Sequence, residues 1–189
     1  MAEPAAAPAA SENAGPFLTA VCRSVLAYYL AARGARPMLP HAELDPGRLV
    51  HALPHLLLFE MNSPEMQRIR LAGTAFRTWF GFELTGRNWI SMGHPDERAV
   101  RQRRVDAAWA QPCGICTRMW QFRDGLPRRR LEAVTLPMAP RRDDGPPVML
   151  VALEEIGGAP PGLRDVIEVR ELQRVEWEYV DLGAGKPPA

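Results

Sequence analysis

Residues 55–81 read HLLLFEMNSPEMQRIRLAGTAFRTWFG, and this stretch decides the fold class. His55 to Met61 is a compact apolar run that is typical of a strand, and an Asn-Ser-Pro turn follows it. Gln67 to Gly73 predicts a second strand, so that the two segments form a hairpin. Thr74 to Phe80 then predicts a short helix, which the next glycine ends.

The second strand has two faces of different character. Ile69 and Leu71 are expected on one face, with Arg68 and Arg70 on the other. Side chains alternate in this way because successive residues of a strand point to opposite sides of the sheet. The alternation therefore supports the prediction of a strand.

The rest of the chain completes an α+β pattern. A capped helix is predicted from about Pro95 to Trp109, and three strands follow near Gly114 to Arg123, Arg128 to Met138 and Pro147 to Glu155. Runs of strands separated by short helices favour an antiparallel sheet over a doubly wound parallel sheet. We therefore predict a five-stranded antiparallel sheet with short helices on one face, preceded by an N-terminal amphipathic helix.

Four segments are predicted along the chain. The predicted segments are a disordered Ala/Pro-rich tail (1–15), the N-terminal helix (16–37), the domain (38–158) and an extension with a strand around Trp177 (159–189). The helix must bury its apolar stripe either on its own domain or on a second copy of the chain. The strand of the extension would either be an exposed edge that pairs with a partner or cover the domain's own sheet.

Composition excludes several classes of protein. The 189 residues are 47% hydrophobic and carry a formal net charge of +1, which excludes collagen-like, rod-like and wholly disordered chains. Three cysteines and the lack of a secretory signal or a membrane span predict a cytoplasmic protein.

The charge is unevenly distributed along the chain: residues 1–64 carry a net charge of −1, residues 65–142 carry +8 and residues 143–189 carry −6. The acidic end could fold back and neutralise the basic middle, or the middle could face an anionic partner.

Several stretches resemble a known family. RGARPMLPHAELDPGRLVHALPHLLLFEM (33–61), RIRLAGTAFRTWFGFELTGRNW (68–89) and the later TLPM are similar to a bacterial subfamily of small single-domain PAS proteins, the MopJ-like PAS proteins. The resemblance covers roughly residues 26–156. It implies a PAS fold, without an attached kinase, cyclase or DNA-binding module, that signals by binding. It informs architecture more than activity, because PAS folds host many ligands.

An aromatic group is the first candidate site. It lies in the segment that caps the sheet in PAS folds, and it would form an apolar ligand pocket with a few polar groups. The residues assigned to this pocket are Arg70, Phe76, Trp79, Phe80, Arg87 and Trp89. The alternative is core packing of the aromatic rings.

An arginine-rich set is the second candidate site. Clustered guanidinium groups bind phosphates, so an anion-binding surface for a nucleotide second messenger is predicted as an alternative function. Its residues are Arg98, Arg101, Arg104, Arg128, Arg129 and Arg130. A solvated or internally neutralised face is the competing interpretation. Nucleic-acid binding is not expected, because no helix-turn-helix pattern is present.

Cys113-Gly-Ile-Cys116 is a C-x-x-C motif, which suggests a redox or zinc switch as a third function. A redox site of this kind needs a helix N-terminus, whereas the motif enters a predicted strand. A structural zinc site needs further ligands that the sequence does not place nearby. Two ordinary strand cysteines are therefore the simpler interpretation, with no metal assigned.

These observations predict a non-enzymatic sensory protein that acts by ligand-modulated protein–protein interaction. No hydrolase, phosphate-loop or metalloprotease motif is present, and the sequence requires no cofactor. The expected partners are other signalling proteins, a small-molecule ligand and a second copy of the chain, bound through the N-terminal helix or the sheet.

Overall fold

A seven-stranded sheet forms the centre of the residues that the computed structural model describes, which are 16–93, 95–121, 129–142, 144–158 and 175–188. Three α-helices and several short 3-10 helices flank it. The helices are α1 (Ala20–Arg33), α2 (Thr74–Phe80) and α3 (Arg98–Ala110). The strands are β1 (Leu39–Pro40), β2 (Leu56–Ser63), β3 (Met66–Ala72), β4 (Gly114–Gln121), β5 (Arg129–Ala139), β6 (Val148–Gly158) and β7 (Glu176–Val180).

The sheet confirms the predicted antiparallel α+β architecture, with more strands than expected. Its order is β3-β2-β6-β5-β4-β7, and these neighbours all pair antiparallel. The two-residue β1 pairs parallel with β5 and is too short to leave an alternating pattern in the sequence. β7 is the strand of the C-terminal extension, and it pairs with β4. The strand of the extension therefore lengthens the domain's own sheet and forms one of its edges.

The sheet is covered on both faces. Val134, Leu136 and Met138 of β5 belong to a core shared with α1, whereas Leu131 and Ala133 belong to a second core shared with α2 and the 3-10 helix Trp89–Met92. This division follows from the alternation of side chains along a strand. α1 thus buries its apolar stripe on its own sheet, which was one of the two alternatives, and α2 and α3 lie on the opposite face.

Two glutamates of the sheet hold the first turn of α1. The helix has no side-chain cap of its own. The fully buried Glu132 carboxylate accepts hydrogen bonds from the Leu18 and Thr19 amides and from the Thr19 hydroxyl, at 2.7–3.0 Å. Glu154, its neighbour on β6, accepts from the Val21 amide at 2.9 Å. Negative charge at a helix N-terminus is stabilising, so this clamp fixes α1 on the sheet.

A β-bulge changes one predicted face. Leu58 of β2 pairs with Leu71, but the next residue, Phe59, pairs with Ile69, so Arg70 is the extra residue of β3. The bulge breaks the strict alternation. Ile69 is buried as expected, while Leu71 is 46% exposed and does not share its face.

The predicted α2 helix is confirmed. α2 has the predicted bounds and ends at Gly81, whose φ of 74° is the left-handed conformation that glycine adopts easily. The Asp45 side chain caps the 3-10 helix Pro46–Leu49. Among the described residues, no helix is long and apolar enough to span a membrane.

Candidate functional site

A cavity of about 490 Å³ opens between the sheet and α3. Its floor comes from alternate residues of β4 and β5, and its walls come from α3, the end of α2 and the 3-10 helix Trp89–Met92. The lining residues are Phe59, Gln67, Phe80, Phe82, Trp89, Ser91, Met92, Gly93, Glu97, Arg101, Arg104, Val105, Ile115, Thr117, Met119, Trp120, Ala133, Thr135, Val151 and Val175. This volume lies within the range of small-molecule sites, which are mostly apolar with a few polar groups.

The predicted aromatic residues divide between this cavity and the core. Phe80 and Trp89 line the cavity. Phe76 is fully buried behind them, with its ring centroid 5.5 Å from that of Trp79 and 6.5 Å from that of Trp89. The inner rings of this cluster therefore pack in the core, whereas Phe80 and Trp89 face the cavity.

The two arginines assigned to the pocket lie elsewhere. Arg70 is the bulged residue of β3, and its Nε lies 3.6 Å from the Glu60 carboxylate. The Arg87 guanidinium lies 4.4 Å from the ring centroid of Phe82, and its Nε donates to the Glu83 carbonyl at 2.8 Å. Neither lines the cavity. A bulge and a cation–π contact are local events that the sequence pattern did not reveal.

Two other arginines replace them. Arg101 and Arg104 of α3 both line the cavity. Both belong to the predicted anion-binding surface, but together with Val105 and Ala108 they follow the i, i+3, i+4, i+7 spacing of a buried helix face. This spacing is the feature of the sequence that indicates a position on the buried face of α3.

Arg104 is buried and Arg101 is partly buried, so both guanidinium groups have lost contact with water. Burial lowers the pKa of Arg101 to about 10, helped by the charge of Arg104 and opposed by Glu97. Burial likewise lowers the pKa of Arg104 to about 10. Both groups still carry their charge at pH 7, so the cavity holds two cations against the one carboxylate of Glu97.

The remaining arginines of the predicted anion-binding surface do not join them. Arg98 is exposed on α3, Arg129 pairs with Glu155 of β6, and Arg130 lies 3.5 Å from Glu176 of β7. Arg128 lies outside the described residues. The pairing of Arg130 with the acidic C-terminal segment matches the internally neutralised interpretation. The described arginines of this set therefore do not form a single surface.

A chain of polar side chains lies beside the cavity. The buried Gln67 lines it and donates from Nε2 to Gln102 Oε1 at 2.8 Å, and Gln102 donates to Asp106 at 2.7 Å. Such a chain fixes the orientation of a buried amide. Gln67 is absent from the predicted pocket residues, and the one signal for it in the sequence is that it is the uncharged polar residue of β3.

The C-x-x-C cysteines are buried, free thiols. Burial raises the pKa of Cys113 to about 11 and that of Cys116 to about 12. Cys116 packs in the α1 core, while Cys113 packs in a small cluster with Tyr179. No group of three or more metal-ligating side chains occurs among the described residues. Thiols in this state are poor nucleophiles and poor ligands.

Comparison with known families identifies the fold. Residues 19–152, well over half of the chain, match the PAS domain family. The chain belongs to this family. PAS domains generally work in sensing and signal transduction, and they are usually sensory rather than catalytic.

Solved structures with a similar arrangement include LOV and PAS proteins. A variant of RsLOV is 20% identical with a TM-score of 0.44; the match covers 59% of this chain, which spans 65% of that one. A fungal LOV domain photoreceptor is 18% identical with a TM-score of 0.45, covering 70% of this chain and 89% of that one. A PAS domain from Colwellia psychrerythraea is 8% identical with a TM-score of 0.45, and the match covers 59% of this chain and 96% of that one. No curated protein matches the chain.

Proposed function

We propose that this PAS domain is a sensory protein that binds an apolar small molecule between its sheet and α3, and that binding alters its interaction with a partner protein. The observation that carries this proposal is the cavity of about 490 Å³, whose lining is largely aromatic and aliphatic. An apolar ligand would replace water against Phe80, Trp89 and Met119. Burial of apolar surface is the main source of affinity in such sites.

Contacts between the cavity and the sheet edge support the second half of the proposal. The Arg104 guanidinium, which lines the cavity, stacks on the ring of Trp177 at 3.9 Å. Trp177 lies in β7, and the hydroxyl of Tyr179 in the same strand donates to the Arg104 carbonyl. Among the described strands, β7 pairs on one side only. A ligand that moves Arg104 would therefore change an edge strand, which is a surface suited to partner pairing.

The ligand half is tested with the neutral fluorescent probe N-phenyl-1-naphthylamine. We expect saturable binding to the full chain, and a loss of at least tenfold in Thr135→Trp, which places an indole on the cavity floor. Arg103→Trp, on the exposed side of α3, is the matched control and should bind normally. Absence of saturable binding to the wild-type chain would overturn the proposal.

The interaction half is tested by hydrogen exchange. Probe binding should change the exchange rates of the β7 amides, residues 176–180, while those of β3 at the other edge stay constant. Unchanged rates in β7 would show that the cavity and this edge are not coupled.

Finer expectations stay predictions. They are the bacterial MopJ-like subfamily, the cytoplasmic location, non-enzymatic action and the homodimer. Because α1 buries its stripe on its own sheet, a dimer formed through this helix would have to use its outer face. The nucleotide-binding alternative now depends on Arg101 and Arg104 alone among the described arginines of that set.

A further inference from the structure

The two arginines in the cavity carry an inference about the chemistry of the ligand. This inference rests on the proposed function and deepens it. Arg104 is 6% exposed, and its Nε is buried without a hydrogen-bond partner. This N–H donor therefore has neither water nor a protein acceptor, and burying a polar group in this way is costly.

No described carboxylate pairs with either group. Among the described residues, neither Arg101 nor Arg104 forms an ion pair within 4.0 Å, and neither guanidinium donates a hydrogen bond to a protein atom. Glu97 also lines the cavity but makes no ion pair with them. Their contacts are with ring faces: Trp177 at 3.9 Å from Arg104 and Trp89 at 5.6 Å from Arg101. Ring faces attract a cation but cannot accept its in-plane hydrogen bonds.

The protein also makes room for Arg101. A Cβ atom at Gly93 would lie 2.0 Å from Arg101 Nη1, so the guanidinium occupies the space beside the glycine. Gly93 lines the cavity too. Any side chain here would push Arg101 away from its present position. The site therefore holds one guanidinium against backbone and another against an indole, both at the same cavity wall.

We propose that the cavity binds an organic anion: an oxyanion group, carboxylate or phosphate monoester, carried on an apolar aromatic body. The oxyanion would accept hydrogen bonds from Arg101 and Arg104, which are matched to such groups in geometry. The body would lie among Phe80, Trp89 and Met119. One ligand of this kind supplies hydrogen-bond acceptors for the two guanidinium groups and an apolar body that packs against the cavity lining.

The test compares three ligands that share one ring system. 1-Naphthoate, 1-naphthyl phosphate and the neutral 1-naphthalenemethanol are each titrated against the chain loaded with N-phenyl-1-naphthylamine, and displacement is followed by fluorescence. We expect at least one anion to displace the probe at a concentration tenfold or more below that of the alcohol. Which anion does so tells a carboxylate ligand from a phosphate ligand.

Variants then assign the preference to the two arginines. Arg101→Met and Arg104→Met should each remove most of the anion preference, measured as the ratio of the alcohol and anion concentrations that displace half of the probe. Arg103→Met, an exposed arginine of the same helix, should keep the preference. Circular dichroism verifies that each variant is folded.

The outcomes separate the two proposals. If the wild-type chain binds the probe but both anions and the alcohol displace it equally, the anion inference is wrong and the proposed function stands. The same conclusion follows if the preference survives in both Met variants. If the probe itself is not bound, the proposed function is wrong. The wild-type comparison needs no variant, so a variant that fails to fold leaves the test intact.

Discussion

Replacement of Glu132 by glutamine tests how α1 is held on the sheet. The carboxylate is fully buried, accepts hydrogen bonds from Leu18 and Thr19, and receives the Arg118 Nε at 3.1 Å. In Glu132→Gln one of the two oxygens becomes an NH₂ group that faces N–H donors. At least two charge-assisted bonds are lost, at about 1.5–3 kcal/mol each.

The net effect should be smaller than that sum. The Arg118 side chain is 19% exposed and can regain water, and it keeps its contact with the Pro16 carbonyl. We therefore expect the free energy of unfolding to fall by about 3 kcal/mol, and the melting temperature by about 6–12 °C for a chain of this length. Urea denaturation followed by tryptophan fluorescence measures the first quantity and calorimetry the second.

Acid should remove the difference in stability between the wild type and Glu132→Gln. Burial by itself raises the pKa of Glu132, but hydrogen bonds from Leu18, Thr19 and Arg118 outweigh burial and hold the pKa below the ordinary glutamate value. A group whose pKa is lower in the folded state stabilises above its unfolded pKa, near 4.3, and loses that contribution as the pH falls through the folded pKa. The difference in the free energy of unfolding between the wild type and Glu132→Gln should therefore be constant near pH 7 and decrease below about pH 4.

Glu43→Gln is the matched control. Glu43 pairs with Arg36 at 2.7 Å, but both side chains are largely exposed, and exposed ion pairs contribute little. Its stability should equal that of the wild type within error. A loss below about 0.5 kcal/mol in Glu132→Gln would refute the clamp, as would a gap that does not depend on pH.

Four further predictions concern a backbone contact, a partly buried charge, the anion preference and the thiols. Gly73→Ala should lower the free energy of unfolding, measured in urea, by about 2 kcal/mol, because a Cβ there would lie 2.3 Å from two carbonyl oxygens of the 3-10 helix before β2. An unchanged stability would show that this 3-10 helix moves to accommodate the methyl group. Arg101→Met should raise the unfolding free energy of the ligand-free chain by about 1 kcal/mol, because it removes a partly buried charge that has no ion-pair partner among the described residues. Gly93→Ala should displace that guanidinium and reduce the anion preference several-fold, with little change in melting temperature. Cys113 and Cys116 should react with Ellman's reagent at pH 8 only after unfolding, because burial raises the pKa of both thiols. Rapid reaction of the native chain would contradict this prediction and support a redox switch at these cysteines.

The sequence by itself determined most of the secondary structure and the antiparallel sheet. The hairpin of β2 and β3, the bounds of α2 and its glycine end, and the cap at Asp45 all follow from turn chemistry and from alternation within a few residues. These signals are local, so one sequence carries them. The bulge at Arg70 is the exception, since it depends on how β3 meets β2.

Tertiary structure alone decided where the charged groups lie. The spacing of Arg101 and Arg104 was visible, but only the packing of α3 over β4 and β5 turned that face into a cavity wall. Glu132 stands as a lone acid among apolar residues of β5, yet its partners, Leu18 and Thr19, come from a segment more than 110 residues away. A charge is exposed, paired or left without a partner according to the groups that distant segments bring near it, and no local pattern encodes that.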